Sequence, residues 1–423
     1  MKKLKVLLVV ICLLLFSGCD LKLENKKPKK LKPEMNVLSS DLGYLSDLKI
    51  IKKFNSEGAI SLNNFAFNLY DQLFQKDKNV FISPVSVYLA LSMTYNGAAE
   101  KTALEMGNVL ETGNLSLEEF NELNRDLQFL ILGYKNSKIE LANSIWIRDS
   151  YQEAVKEDFL KRNKMYYGAM VSSLDFNNQR AVETINNWVK KNTNNRIKEA
   201  ITGEIDPLTE MFLINTIYFK SDWLNLFKKG NTSKKDFNTP HGLKKVQMMS
   251  KNDKIGYVEN DQLKAVLLPY KDQKTSMFII LPENKLEDLL LDSNIISDLI
   301  KEMKDNQVEV DLSMPRMKID YEISLKESLM KMGMIEAWSS QADFSKMSSL
   351  ALEKGLHIDD IEHKTFLEVN EKGTEAAGMT SVLMEDTAFM DKSYKMYIDR
   401  PFVLGIIDHE SEVVLFLGNI VDP

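Results

Sequence analysis

The chain has 423 residues, 44% of them apolar and 27% charged, the balance of a soluble globular protein with room for one large or two ordinary domains. A net charge of −7 argues against a nucleic-acid partner, which would require a basic face. Two cysteines, Cys12 and Cys19, exclude a disulfide-rich framework and a cysteine-ligated metal in the body.

Residues 1–18 read as a targeting segment. Lys2, Lys3 and Lys5 make a basic start, Val6 to Phe16 is an apolar run too short to span a bilayer, and Ser17 and Gly18 precede Cys19. Small residues before a cysteine resemble the bacterial lipobox, although Phe16 stands where that motif prefers Leu. The resemblance implies that Cys19 becomes the lipid-modified first residue; the other reading is an ordinary cleaved signal. More than one acyl chain anchors stably, so the expected location is exported and lipid-anchored at the extracellular face, with a released soluble form as the alternative. Residues 20–36, with Lys22, Lys26, Lys27, Lys29, Lys30, Lys32, Pro28 and Pro33, read as an extended, disordered tether that favours an anionic leaflet. Residues 37–54 hold Val37, Leu38, Leu42, Tyr44, Leu45, Leu48, Ile50, Ile51 and Phe54, too many apolar groups for a free tether. At about 25 cal/mol per Å2, docking even four of them contributes several kcal/mol. The segment is expected to pack on the body; otherwise it is the end of the spacer or an extra helix. The resulting division is 1–18, 19–57 and a single body domain, 58–423.

In the body, Leu62, Phe65, Leu69, Leu73 and Phe74 fall at helical spacing, and Asn79 to Ile82 reads as a short strand. Ser83-Pro84 starts a helix, and Val85 to Ala98 is apolar nearly all round, hence buried. Residues 102–140 read as helical with an acidic cluster at Glu118, Glu119, Glu122 and Asp126. Ile139 to Ile147 reads as a strand, Ser150 to Lys164 and residues 180–191 as helices, and Glu210 to Phe219 as a largely apolar strand. Val308 to Leu312 alternates, and Pro401 to Ile407 and Val413 to Ile420 are core strands joined by the turn Asp408 to Ser411.

The stretch Glu368 to Met390 behaves differently. No proline occurs between Pro315 and Pro401, so every residue there can donate its N–H to a sheet. On alternate positions, Thr374, Ala376, Gly378, Thr380, Val382 and Met384 form an uncharged face that can be buried, while Glu375 and Glu385 fall on the other. Ala and Gly are poor strand formers, so nothing forces a strand beforehand.

The run EVNEKGTEAAGMT, followed by RPFVLGIIDHESEVVLFLGNIVDP, resembles the hinge and C-terminal strands of the serpins. FNLYDQL, NVFISPVSVYLALSMTYNGAAEKT, ANSIWI, FLINTIYFKSDW and VEVDLSMPRMKI match the same family in the same order, so the resemblance covers roughly Ile60 to Pro423. It implies an α+β fold of three β-sheets, about eight or nine helices and an exposed reactive-centre loop, with Glu210 to Phe219 central in the main sheet. Ser83, Ser86, Asn215 and His363 match its buried polar shutter. Trp223, Arg316 and Glu371 match its breach, where the loop first inserts; an exposed Arg316–Glu371 pair would be worth under about 1 kcal/mol. Glu371, Lys372, Gly373, Thr374, Glu375, Ala376, Ala377, Gly378, Met379 and Thr380 match the hinge. Counting seventeen residues from Glu371, as is usual in the family, gives Thr387-Ala388 as the reactive bond, suited to elastase- or subtilisin-like proteases. Counting back from Pro401 points to Phe389 or Met390, suited to a chymotrypsin-like enzyme. No basic residue lies between Lys372 and Lys392, which disfavours trypsin-like targets.

The function implied is inhibition of a serine protease as a suicide substrate, through a covalent complex and as a monomer. No cofactor is expected, and no heparin site, because residues 102–140 lack a basic cluster. The alternatives are a non-inhibitory surface lipoprotein on the same fold and a cross-class cysteine-protease inhibitor. An enzyme is not expected: the four histidines, His241, His357, His363 and His409, form no HExxH, and no G-x-S-x-G, phosphate loop or metal-ligand pattern occurs.

Overall fold

The computed structural model describes Phe54, residues 56–132, Tyr134, and residues 136–374 and 393–423. The targeting segment, Cys19, residues 37–53, the hinge residues Glu375 to Thr380 and both candidate reactive bonds lie outside these residues.

Nine α-helices and two hydrogen-bonded sheets make up the described body. The main sheet has six strands in the order Met317–Ser324, Glu362–Asn370, Gly373–Thr374, Met211–Asp222, Ser137–Arg148 and Met170–Leu174. The second has nine strands where the resemblance implies two smaller sheets. Its strand Gly242–Glu259 runs for 18 residues, pairing with Ser233–Thr239, Leu263–Pro269 and Gln307–Pro315, and so joins both halves into one ladder. Among the described residues, no helix is long and apolar enough to cross a membrane.

The helix Pro84–Tyr95 sits at the junction of the two sheets because nearly its whole circumference is apolar. Its start is set by Ser83, whose side chain accepts from the Ser86 N–H, and by proline in the first turn. It packs on the strand Met211–Asp222 and on the C-terminal strand Val414–Ile420. The short strand Val80–Ile82 pairs with that same C-terminal strand, and Phe81 stacks on Phe416 at 5.5 Å.

Two expected helices are shorter than their sequence signal. The 102–140 stretch divides into Glu100–Val109 and Leu117–Leu132. Gly113 turns the chain with φ +57, and Ser116 with Glu119 forms a reciprocal capping box that restarts it. The 150–164 helix begins only at Glu157, after a 3-10 turn, Asp149–Ala154. Val155 is held extended by its bridge to Ser348, and the Lys156 N–H goes to the Met347 carbonyl.

Candidate functional site

The site is the seam between the strands Glu362–Asn370 and Met211–Asp222, which run parallel to each other. Both are antiparallel to the two-residue strand Gly373–Thr374 at one end, in the register Val369 with Thr374 and Thr374 with Ser221. Along the rest of the seam, no ladder joins the two long strands among the described residues. Clefts lie there instead. One is lined by Ile217, Phe219, Phe366 and Leu367 near Thr374; a second is lined by Leu213, Asn215, Ile361 and His363.

At the closed end, Gly373 crosses so close to its neighbour that a Cβ would overlap the Ser221 carbonyl oxygen, so only glycine fits. Thr374 is buried, and its hydroxyl lies 2.6 Å from the Tyr270 hydroxyl. Tyr270 in turn stacks on Trp223 at 4.7 Å with an interplanar angle of 7°. Trp223 is fully buried; its indole N–H donates to the Asn370 carbonyl at 3.0 Å and its backbone N–H to the Lys372 carbonyl at 2.7 Å. The turn that reverses the chain from Asn370 into Gly373 is thus fastened to one aromatic stack.

Glu371 occupies that turn. Arg316 donates to its Oε1 from Nε at 2.9 Å and from Nη2 at 2.5 Å, and Thr232 Oγ1 donates to the same oxygen at 2.5 Å. The pair is buried on the carboxylate side: the Glu371 side chain is 4% exposed, whereas Arg316, at 42%, reaches solvent. Burial pushes the Glu371 carboxyl upward, but the hydrogen bonds from Arg316 and Thr232 outweigh it and hold the group below the usual carboxylate value. The reason is topological: the tight turn directs Glu371 inward, where the Phe227 N–H also caps its carbonyl.

Beneath the middle of the sheet, Ser83, Ser86, Asn215 and His363 come together as the resemblance implies. The Ser83 N–H donates to His363 Nε2 at 3.0 Å, and Ser83 Oγ to the Leu415 carbonyl at 2.8 Å. Ser86 Oγ donates to Asn215 Oδ1, and Asn215 Nδ2 to Asn143 Oδ1 at 2.7 Å. Both long strands are therefore tied to the N-terminus of one helix: His363 from one side of the seam, Asn215 from the other. Burial pulls His363 down to about 4, which keeps the ring neutral at pH 7 and able to accept from Ser83.

Several residues of the site carried no signal beforehand. Tyr270 and Thr232 lie outside every stretch that carries the family resemblance. Asn143 extends the polar cluster across the next strand, with its Nδ2 donating to the Tyr167 carbonyl at 2.8 Å and to Gln128 Oε1 at 3.2 Å. Buried polar groups need partners, so a run of buried Asn and Gln could have suggested a network but not its members.

Ser276 lies 2.8 Å from His409 Nε2 but is 2% exposed, out of a substrate's reach. Among the described residues, no group of three or more His, Cys, Asp or Glu is placed to hold a metal.

Comparison with known proteins agrees with this geometry. Residues 60–423 match the family model of the serpins, described as serine protease inhibitors. A serpin-like protein of Thermococcus kodakarensis is 34% identical, over 99% of this chain and 98% of its own length. Intracellular coagulation inhibitor 2 of Tachypleus tridentatus is 32% identical, over 85% of this chain and 90% of its own. Among solved structures, the thermophilic serpin tengpin in its native state superposes with a TM-score of 0.79 at 30% identity, covering 88% of this chain and 96% of tengpin. Thyroxine-binding globulin in complex with thyroxine does so with 0.76 at 28%, covering 87% and 100%. The chain belongs to the serpin family.

Proposed function

We propose that this protein inhibits a serine protease by acting as a substrate that traps it. The protease hydroxyl attacks a carbonyl in the segment 375–392, the peptide bond breaks, the new amine leaves with the C-terminal piece, and an acyl-enzyme ester remains. The freed hinge then adds to the main sheet as a full strand and carries the ester-linked protease with it, before water can deacylate it. Strand addition and release of stored strain by loop insertion are recognised routes for such trapping.

One observation carries this reading: Gly373–Thr374 already runs antiparallel between two parallel strands that share no other ladder among the described residues. Continuing that register residue by residue sets Thr380 between Asn215 and His363, and Val382 between Leu213 and Ile361. Thr374, Ala376, Gly378, Thr380 and Val382 would then share the inward face with Val369, Leu367, Thr365 and His363, all of which are buried. The uncharged half of the loop meets the buried half of the seam. About a dozen added residues, at roughly 0.5–1.5 kcal/mol net per hydrogen bond, gain an amount comparable with a whole domain's stability.

Small residues at Thr387-Ala388 support an elastase- or subtilisin-like target; a bond at Phe389 or Met390 would suit a chymotrypsin-like one. The N-terminal pattern supports export and tethering through a lipid on Cys19, with residues 37–54 resting on the body. Phe54, half-buried and packed on the core, supports that path. The likeness to thyroxine-binding globulin favours a second reading, a non-inhibitory carrier on the same fold. Incubation with elastase-, chymotrypsin- and subtilisin-type proteases separates the two. A complex stable in denaturing gel, with a released C-terminal peptide whose mass fixes the bond, is expected; clean cleavage with no complex by every protease would overturn the inhibitory reading.

A further inference from the structure

The rim of the main sheet carries a feature separate from the seam. Lys229, Arg316, Lys318 and Lys372 line one solvent-open cleft, together with Glu368, Glu371 and Pro423. Three elements bring these cations together: the turn Lys229–Asn231, the start of the strand Met317–Ser324, and the turn between Asn370 and Gly373.

The acidic groups there are already engaged. Glu371 holds Arg316, and Glu368 faces Arg196 at 3.6 Å. Lys318 stands opposite Glu368 in the strand register, yet its ammonium lies over the Phe366 ring at 5.8 Å. Lys229 and Lys372 have no ion pair among the described residues. In a protein of net charge −7, Lys229, Lys318 and Lys372 line one concave surface with no ion pair to a carboxylate among the described residues. Ammonium groups on long stems are point charges that adapt to phosphate or sulfate oxygens, and like charges held together gain from a shared counter-ion.

We infer that this cleft is a binding site for a small polyanion carrying two or more clustered phosphate or sulfate groups. The inference goes beyond the inhibitory reading, because the ligand binds whether or not the chain traps a protease. Lys372 immediately precedes Gly373, so an occupied site would link the root of the loop to Lys229 and Lys318.

Isothermal titration of the full chain with tripolyphosphate, and separately with sucrose octasulfate, at neutral pH and low salt tests this. One ligand is expected to bind per chain, weakening as sodium chloride is raised, with an affinity about tenfold or more lower in Lys229→Ala/Lys318→Ala/Lys372→Ala. The tighter probe identifies phosphate or sulfate as the natural group. A Lys161→Ala/Lys301→Ala variant, altered on two exposed helix positions elsewhere, should bind as the parent does. No heat with either probe, equal binding by the triple variant, or equal loss in the control variant would overturn the site. Should the triple variant fail to fold, Lys229→Gln alone, on a surface turn, gives the same readout with a smaller loss.

Discussion

His363 is where a single proton bears on the sheet. Its folded-state value, about 4, lies below the ordinary 6.5 because burial disfavours the charged ring. Between those values the unfolded chain takes up a proton that the folded chain refuses, so stability is intact above pH 6.5 and falls as the pH drops through the window. The full shift corresponds to about 3 kcal/mol. His409, also drawn down to about 4 by burial, adds a similar share. Urea titrations of the parent and His363→Gln should show the pH slope between 6.5 and 4 reduced by about one proton in the variant; an unchanged slope would place the titration elsewhere. Glu371 works in the opposite chemical sense: its carboxyl is held below the usual value, so its share of stability is present above pH 4.5 and is lost on acidification. Glu371→Gln keeps the shape but gives up the charge-assisted hydrogen bonds from Arg316 and Thr232, and should cost about 1–3 kcal/mol at neutral pH by urea denaturation. The match of Glu371 with Arg316 was legible in the sequence only through family motifs. That the carboxylate is buried was not, because exposure depends on the turn that Trp223 and Phe227 fasten, and those contacts join residues about 150 apart.

At the scale of elements, strands and helices with a strong local signal were readable from their own residues. The helices at 84–95 and 180–192 and the paired C-terminal strands needed no tertiary information. Interruptions were harder. The break before Glu157 is imposed by Ser348 and Met347 from a distant segment, whereas the Ser116-x-x-Glu119 capping box was written in the sequence and is a local signal. The two-residue strand Gly373–Thr374 has weak local propensity and exists because two long strands receive it. Thr374→Arg would place a cation against Tyr270 beneath the sheet, where no carboxylate contacts the Thr374 hydroxyl among the described residues. A buried unpaired charge is strongly unfavourable, so this variant should be cut by the target protease yet form no persistent complex. A covalent band on a denaturing gel as strong as the parent's would contradict the register argued for the loop.

Across the whole molecule, one fold supplies the aromatic stack at the rim, the polar cluster beneath the sheet and the seam between them. The family motifs pointed to Trp223 in the first and to Ser83, Ser86, Asn215 and His363 in the second, but not to Tyr270 or Asn143; the merging of strands into a nine-stranded sheet rests on the length of Gly242–Glu259, which composition does not reveal. The N-terminal segment belongs to this scale too. Removal of residues 1–57 should lower the thermal midpoint if residues 37–53 rest on the body; an equal midpoint would mark them as spacer. The central claim is that the cut loop fills the seam. Hydrogen–deuterium exchange of amides in 212–220 and 362–368, before and after cleavage within 380–392, tests it most directly. Insertion predicts a large slowing of exchange along both facing strands, whereas unchanged exchange in the cleaved protein would contradict the account.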